Sequence, residues 1–232
     1  MSYKKELANI EAKFKQTYTE CPEKIGTIKS FISDLTVIFG CIVDNVDQKK
    51  MKNSLTFSRF LQSMLHLDEI LLLSMSAYYT SGTQILRYYL ESIIQASYLD
   101  QRHPSFTIEN KLCILTEISD KREYFVSQLL DKLLIEYKEN VRKLYKDLSM
   151  GSHPSHLDFP TIDEMMKYLR DTESKVDCEE LDKIAKLTIQ TYDAIFFFIL
   201  QIFPDVKASA KKNVDVGKII KKYNLPLLEK TL

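Results

Sequence analysis

The chain has 232 residues with 32 basic and 32 acidic side chains, so no global field draws it to nucleic acid or an anionic membrane and any such contact must be local. Five glycines and six prolines are few, while Leu, Ile, Lys, Glu and Tyr abound, a bias that excludes turn-rich sheet architectures and sets the expectation of an all-α protein. The length suits a single helical-bundle domain over residues 1–203, with residues 204–232 as a short Lys-rich helical appendage.

Leu7, Ile10 and Phe14 recur at three and four residues on a Lys/Glu-rich background, which predicts an amphipathic helix over residues 2–18 that ends at Cys21-Pro22. In the longer helix that follows, Ile25, Ile28, Ile32, Leu35, Phe39, Ile42 and Val46 alternate by three and four for three heptads. Such a face suits a partner helix, inside the chain or in another subunit. After a polar break over 47–53, a helix from Ser54 through Leu65, Leu72 and Met75 leads to Tyr78-Tyr79-Thr80-Ser81-Gly82, where glycine permits a turn. The next helix, over 83–99, is expected to return as an antiparallel hairpin.

Pro104 opens a shorter helix through Leu112 and Leu115. From about Asp120 a long helix is predicted to carry Leu130, Leu134, Tyr137, Val141, Leu144 and Leu148 and to stop at Gly151. Thr161 with Glu164 signals a short helix, and Asp177 with Glu180 caps the last long one. Its 194–200 stretch is apolar on all sides and must be surrounded by protein. Pro204 ends that helix, and short Lys-rich helices follow.

Cys21, Cys41, Cys113 and Cys178 are far apart with no C-x-x-C, so they are expected to be reduced, mostly buried thiols with no zinc knuckle or disulfide framework. The N-terminus has no apolar run behind its charges, and no stretch reaches about 18 consecutive apolar residues. The expected location is cytoplasmic, with no membrane contact. There is no phosphate-cradling glycine loop, G-x-S-x-G elbow, H-E-x-x-H helix or carboxylate set for di-iron ligation, so no metal or cofactor is expected.

Three constellations are candidates for function. Between Glu69 and Asp100 the charged residues are Arg87 and Glu91 alone, and their i, i+4 spacing puts both on one helix face beside Tyr88, Tyr89, Leu90 and Ile94. A charged pair in so apolar a segment either forms a salt bridge that fixes helix register or lines a cavity. The stretch from Ser149 through Ser152, His153, His156 and Asp158 crowds hydroxyls, imidazoles and a carboxylate between two helices; the alternative is a plain turn shaped by Gly151 and Pro154. After Pro204 come seven lysines, a local positive excess suited to phosphates or to plain solvation.

Tyr78-Tyr79 leading into Arg87-x-x-x-Glu91, then Tyr145-Lys-Asp-Leu-Ser149 running into His153-Pro-Ser155, resembles a set of uncharacterised prokaryotic helical proteins related to HEPN-type domains. The resemblance covers about residues 55–157. It implies a HEPN-like core of long antiparallel helices with additional terminal helices, a dimer, and a setting in toxin, phage-defence or RNA-processing systems. It further implies a cleft near Arg87, Glu91 and His153, with Tyr88, Ser149, Ser152 and His156 as binding residues, that takes a partner protein, a nucleotide or RNA. Active HEPN ribonucleases carry Arg followed after four to six residues by His at a helix start, and the only formal match here is Arg59 with His66. One alternative is a metal-independent ribonuclease toxin or effector, with His153 or His66 moving the proton and Arg87 or Arg59 stabilising the phosphorane charge. Another is a purely structural interaction protein in which Arg87 and Glu91 pair only with each other.

Overall fold

The computed structural model describes residues 3–120, 126–150 and 176–232, which form an all-α helical bundle with no strand among the described residues. α1 (Tyr3–Glu20) stops where Cys21 meets Pro22, and Pro22 opens α2 (Pro22–Asn45), where a missing N–H has no intrahelical acceptor to lose. The expected polar break at 47–53 is instead a short helix, α3 (Gln48–Lys52), because the Asp47 carboxylate accepts the Lys49 N–H and caps it. Ser54 likewise caps α4 (Leu55–Leu65), accepting the Phe57 N–H.

The single helix expected from Ser54 to Met75 is broken at His66, beyond which α5 (Leu67–Met75) begins. The turn into α6 (Tyr79–Arg102) is made by Ala77, at φ 60°, and not by Gly82, which sits inside the first turns of α6. The reason is local hydrogen bonding: Tyr78 N–H reaches Leu73 O at 2.9 Å and Ala77 N–H reaches Ser74 O at 3.2 Å, a Schellman closure that satisfies the last carbonyls of α5. α7 (Ile108–Asp120) then covers the end of α6 through Ile108, Ile114 and Leu115 packed on Leu55, Ala96 and Leu99.

The long helix predicted from Asp120 is two helices, α8 (Val126–Lys132) and α9 (Lys138–Met150). Between them Leu133 and Ile135 turn into the core, Leu134 stands 87% exposed, and Tyr137 takes a left-handed φ of 57°. The 4-3 spacing runs on through this break, but Leu134, which it assigns to the buried face, falls in the turn and points outward while Leu133 and Ile135 take its place in the core. α10 (Cys178–Ile202) starts on Asp177, whose carboxylate accepts the Glu179 and Glu180 N–H groups. α11 (Asp205–Lys212), α12 (Val214–Tyr223) and α13 (Pro226–Thr231) complete the chain.

α10 is the axis of the bundle. Every residue from Ala194 to Leu200 is at most 1% exposed, as an all-round apolar stretch requires. Each large side chain there contributes about 1.5–3 kcal/mol by burial. α6 runs beside α10 in the same direction: Asp177 N–H donates to Tyr79 Oη at 3.0 Å near their starts, and Gly82 lies against Ile184. Near their ends, Gln101 and Gln201 line one groove. Phe60 of α4 packs edge-on to Phe196 of α10 at 5.4 Å, and Tyr192 Oη donates to Ser63 O at 2.7 Å.

On α2, Ile25, Ile28, Leu35 and Ile42 are at most 2% exposed, so the heptad face is satisfied largely within the chain. By length and composition alone α2 is long and apolar enough to cross a membrane, as the core helix of a soluble bundle also is. Val206, Ala210, Val216, Ile220 and Leu228 of the last three helices belong to the same core as Phe196–198.

The expectation of four reduced thiols is corrected. Cys21, at the α1–α2 junction, and Cys178, the first residue of α10, form a disulfide across 157 residues with Cα atoms 5.6 Å apart. Wide spacing in sequence excludes a local framework but says nothing about which helix ends meet in the fold. Cys41 is buried and Cys113 exposed, both as free thiols. Disulfides persist in oxidising compartments, so cysteine usage lends no support to a cytoplasmic location.

Candidate functional site

Arg87 and Glu91 lie one turn apart at the middle of α6, both half-buried, on the side that meets α9. Arg87 acts on Glu91 through its charge and makes its contact across to α9. Its Nη2 donates to Tyr145 Oη at 3.3 Å, and its guanidinium carbon stands 5.5 Å from the centre of the Tyr145 ring. Burial pushes the Glu91 carboxyl above the ordinary carboxylate range, and the Arg87 charge pulls it only part of the way back.

Ser149 lies one turn along α9 from Tyr145, on the same side of that helix, and its Oγ donates to Tyr145 O at 2.7 Å. Tyr88 is 52% exposed, with its ring edge-on to Tyr89 at 5.4 Å. The buried Tyr89 phenol is pushed up to about 12 by burial first, with the Glu69 and Tyr88 charges adding to it. The site residues Ser152, His153 and His156 lie outside the described residues, as do Asp158 and the Thr161–Glu164 signature.

Arg59 and His66 are each engaged elsewhere. Arg59 Nη1 donates to Gln62 Oε1 at 2.9 Å, whereas His66 lies 2.8 Å from Glu69 Oε1 through Nδ1 and stacks on Tyr89 at 6.1 Å. His66 is also not mid-helix: it is the hinge between α4 and α5.

Sequence reasoning missed a buried polar network at the far end of α6. Asp100 accepts Ser54 Oγ–H at 2.6 Å, Leu55 N–H at 3.0 Å, Thr56 N–H at 2.9 Å and the Lys111 ammonium at 2.9 Å. Lys111 is 1% exposed and also donates to Asn53 O at 2.6 Å. One carboxylate thus caps α4 and neutralises a buried cation, linking α4, α6 and α7. The available signal was Asp100 itself, the charge that closes the long apolar stretch.

A second buried carboxylate, Asp193, accepts the Leu227 and Leu228 N–H groups at 3.0 and 2.9 Å and so fastens α13 to α10. Burial pushes Asp193 up to about 6, against the lowering effect of those two bonds. Among the described residues, no group of three or more His, Cys, Asp or Glu side chains is placed to hold a metal ion.

No family model, curated protein or solved structure matches this chain, so the reading of its function rests on its own residues.

Proposed function

We propose that this chain is a HEPN-like helical module that self-associates and binds RNA at the face where α6 meets α9, in a prokaryotic stress or phage-defence setting. The observation that carries this reading is the contact of Arg87 with Tyr145 across two helices. An arginine present only to fix register would be spent on Glu91, whereas a guanidinium held against an aromatic ring is a geometry used to recognise phosphates and bases. Tyr88, exposed on the next residue of α6, offers a ring on which a base can stack. A nucleotide or a partner protein at the same face would be read by the same side chains. Since the α2 heptad face is largely occupied within the chain, self-association must use another surface; Leu65 and Leu72, 81% and 53% exposed, are available for it.

The raised Glu91 carboxyl favours a second reading, a metal-independent ribonuclease. There Glu91 or His153 would move the proton and Arg87 would stabilise the charge that develops on phosphorus. Incubation of a mixed RNA with the wild type, Arg87→Ala and His153→Ala separates the two. Binding without cleavage, lost in Arg87→Ala, supports the binding module. Cleavage lost in both variants supports the ribonuclease, and neither binding nor cleavage by the folded wild type rejects both.

A further inference from the structure

The Lys-rich C-terminal segment plays no part in the Arg87 site, yet its lysines are not evenly spread over solvent. Lys207 of α11 and Lys230 of α13 line one groove of about 550 Å³ together with Lys138 at the start of α9, and among the described residues the one acid lining it is Glu136. These three cations come from separate stretches of sequence, so their convergence is a product of the fold. Two of them are held in place without being neutralised: Lys138 Nζ donates to the Asp131 carbonyl at 3.0 Å, and Lys230 Nζ stands 4.9 Å over the Tyr137 ring. Lys138 and Lys207 are half-buried, which strengthens their field on anything that enters.

Gln201, near the end of α10, lines this groove and also an adjoining one of about 590 Å³. The adjoining groove has a wall of Ile202, Phe203 and Pro204, with Lys49 and Lys50 also lining it. Among the described residues its one acid, Asp100, is already engaged by Lys111. Each groove alone falls in the size range of small-molecule sites, the first lined mainly by polar and charged side chains and the second mainly apolar in surface. A cationic end next to an apolar wall fits a ligand with a phosphate at one end and a flat or apolar body at the other.

We propose that the two grooves form one binding site for a phosphate-bearing small molecule of nucleotide size, with the phosphate on Lys138, Lys207 and Lys230 and the body toward Gln201 and Phe203. This site is separate from the α6–α9 face and does not depend on RNA binding there.

The test is a fluorescence titration of the full chain with a ribose-labelled ATP analogue, with unlabelled ATP, adenosine and pyrophosphate as competitors. The expected result is saturable binding displaced by ATP and not by adenosine. Affinity should fall about tenfold or more in Lys207→Gln/Lys230→Gln, and separately in Lys138→Gln. It should be unchanged in Arg87→Ala and in a control, Lys15→Gln/Lys186→Gln, on other surfaces. Absence of saturable binding, equal loss in the control, or no loss in either groove variant overturns the site. Pyrophosphate competing as tightly as ATP overturns the nucleotide-sized assignment. Because Arg87→Ala should leave this binding intact, failure here and failure of the RNA reading are told apart.

Discussion

The Lys111 ammonium lies 2.9 Å from Asp100 Oδ1 with 1% of its side chain exposed, an ion pair sealed between α6 and α7. Removing the carboxylate leaves a buried, unpaired cation and uncaps α4, so Asp100→Ala is expected to cost about 3–5 kcal/mol. Lys111→Met should cost clearly less, because Asp100 keeps its bonds from Ser54, Leu55 and Thr56. Denaturant unfolding of the two variants checks the order, and a Lys111→Met loss equal to that of Asp100→Ala would contradict it.

Asp193 gives a pH signature of defined sign. Its folded value of about 6 lies above the ordinary 3.8, so the folded state binds the proton more tightly. The contribution of this group to stability therefore falls as pH rises from about 4 to 6 and is flat outside that window. A shift of this size corresponds to at most on the order of 3 kcal/mol. Asp193→Asn removes the titration, so the wild-type minus variant stability should decline across that window. A difference that rises or stays level would show that Asp193 does not titrate as its burial requires.

The cysteines divide two and two. Non-reduced protein unfolded in denaturant should expose two reactive thiols per chain, Cys41 and Cys113. Because the Cys21–Cys178 bond closes a loop of 157 residues, Cys21→Ser should lower stability by about 2–4 kcal/mol. Four titratable thiols in protein purified without reductant would contradict the pairing.

Gly82 is helical with no positive φ, and a methyl group there would meet Ile184 at 3.5 Å and Ser74 at 3.7 Å, ordinary contact distances. Gly82→Ala should therefore be tolerated and raise stability by about 0.5–1 kcal/mol through helix propensity. Ala77 carries the left-handed turn. There Ala77→Gly should be the stabilising change, by up to about 1–2 kcal/mol. Thermal melts of both variants decide which residue makes the turn.

Most of the helices were legible because burial imposes a period on the sequence: Ile25 to Val46, and 194–200, read as what they are. Breaks were less legible. His66 and residues 133–137 interrupt helices without glycine or proline, because positions that keep a helical period on both sides of a bend bury the same face. Arg87 and Glu91 stood out as charges in an apolar segment, but their contact with Tyr145 depends on how α9 packs, which no local pattern encodes. Lys111 looked like any surface lysine because its burial depends on Asp100, 11 residues away on another helix.

The most direct measurement is the affinity of the wild type for a fluorescein-labelled single-stranded RNA by anisotropy, beside Arg87→Ala, Arg87→Lys and Tyr88→Ala. The α6–α9 reading predicts saturable binding that weakens about tenfold in Arg87→Ala, is restored only in part by lysine, and drops again without the Tyr88 ring. Folded variants that bind RNA as tightly as the wild type would contradict it.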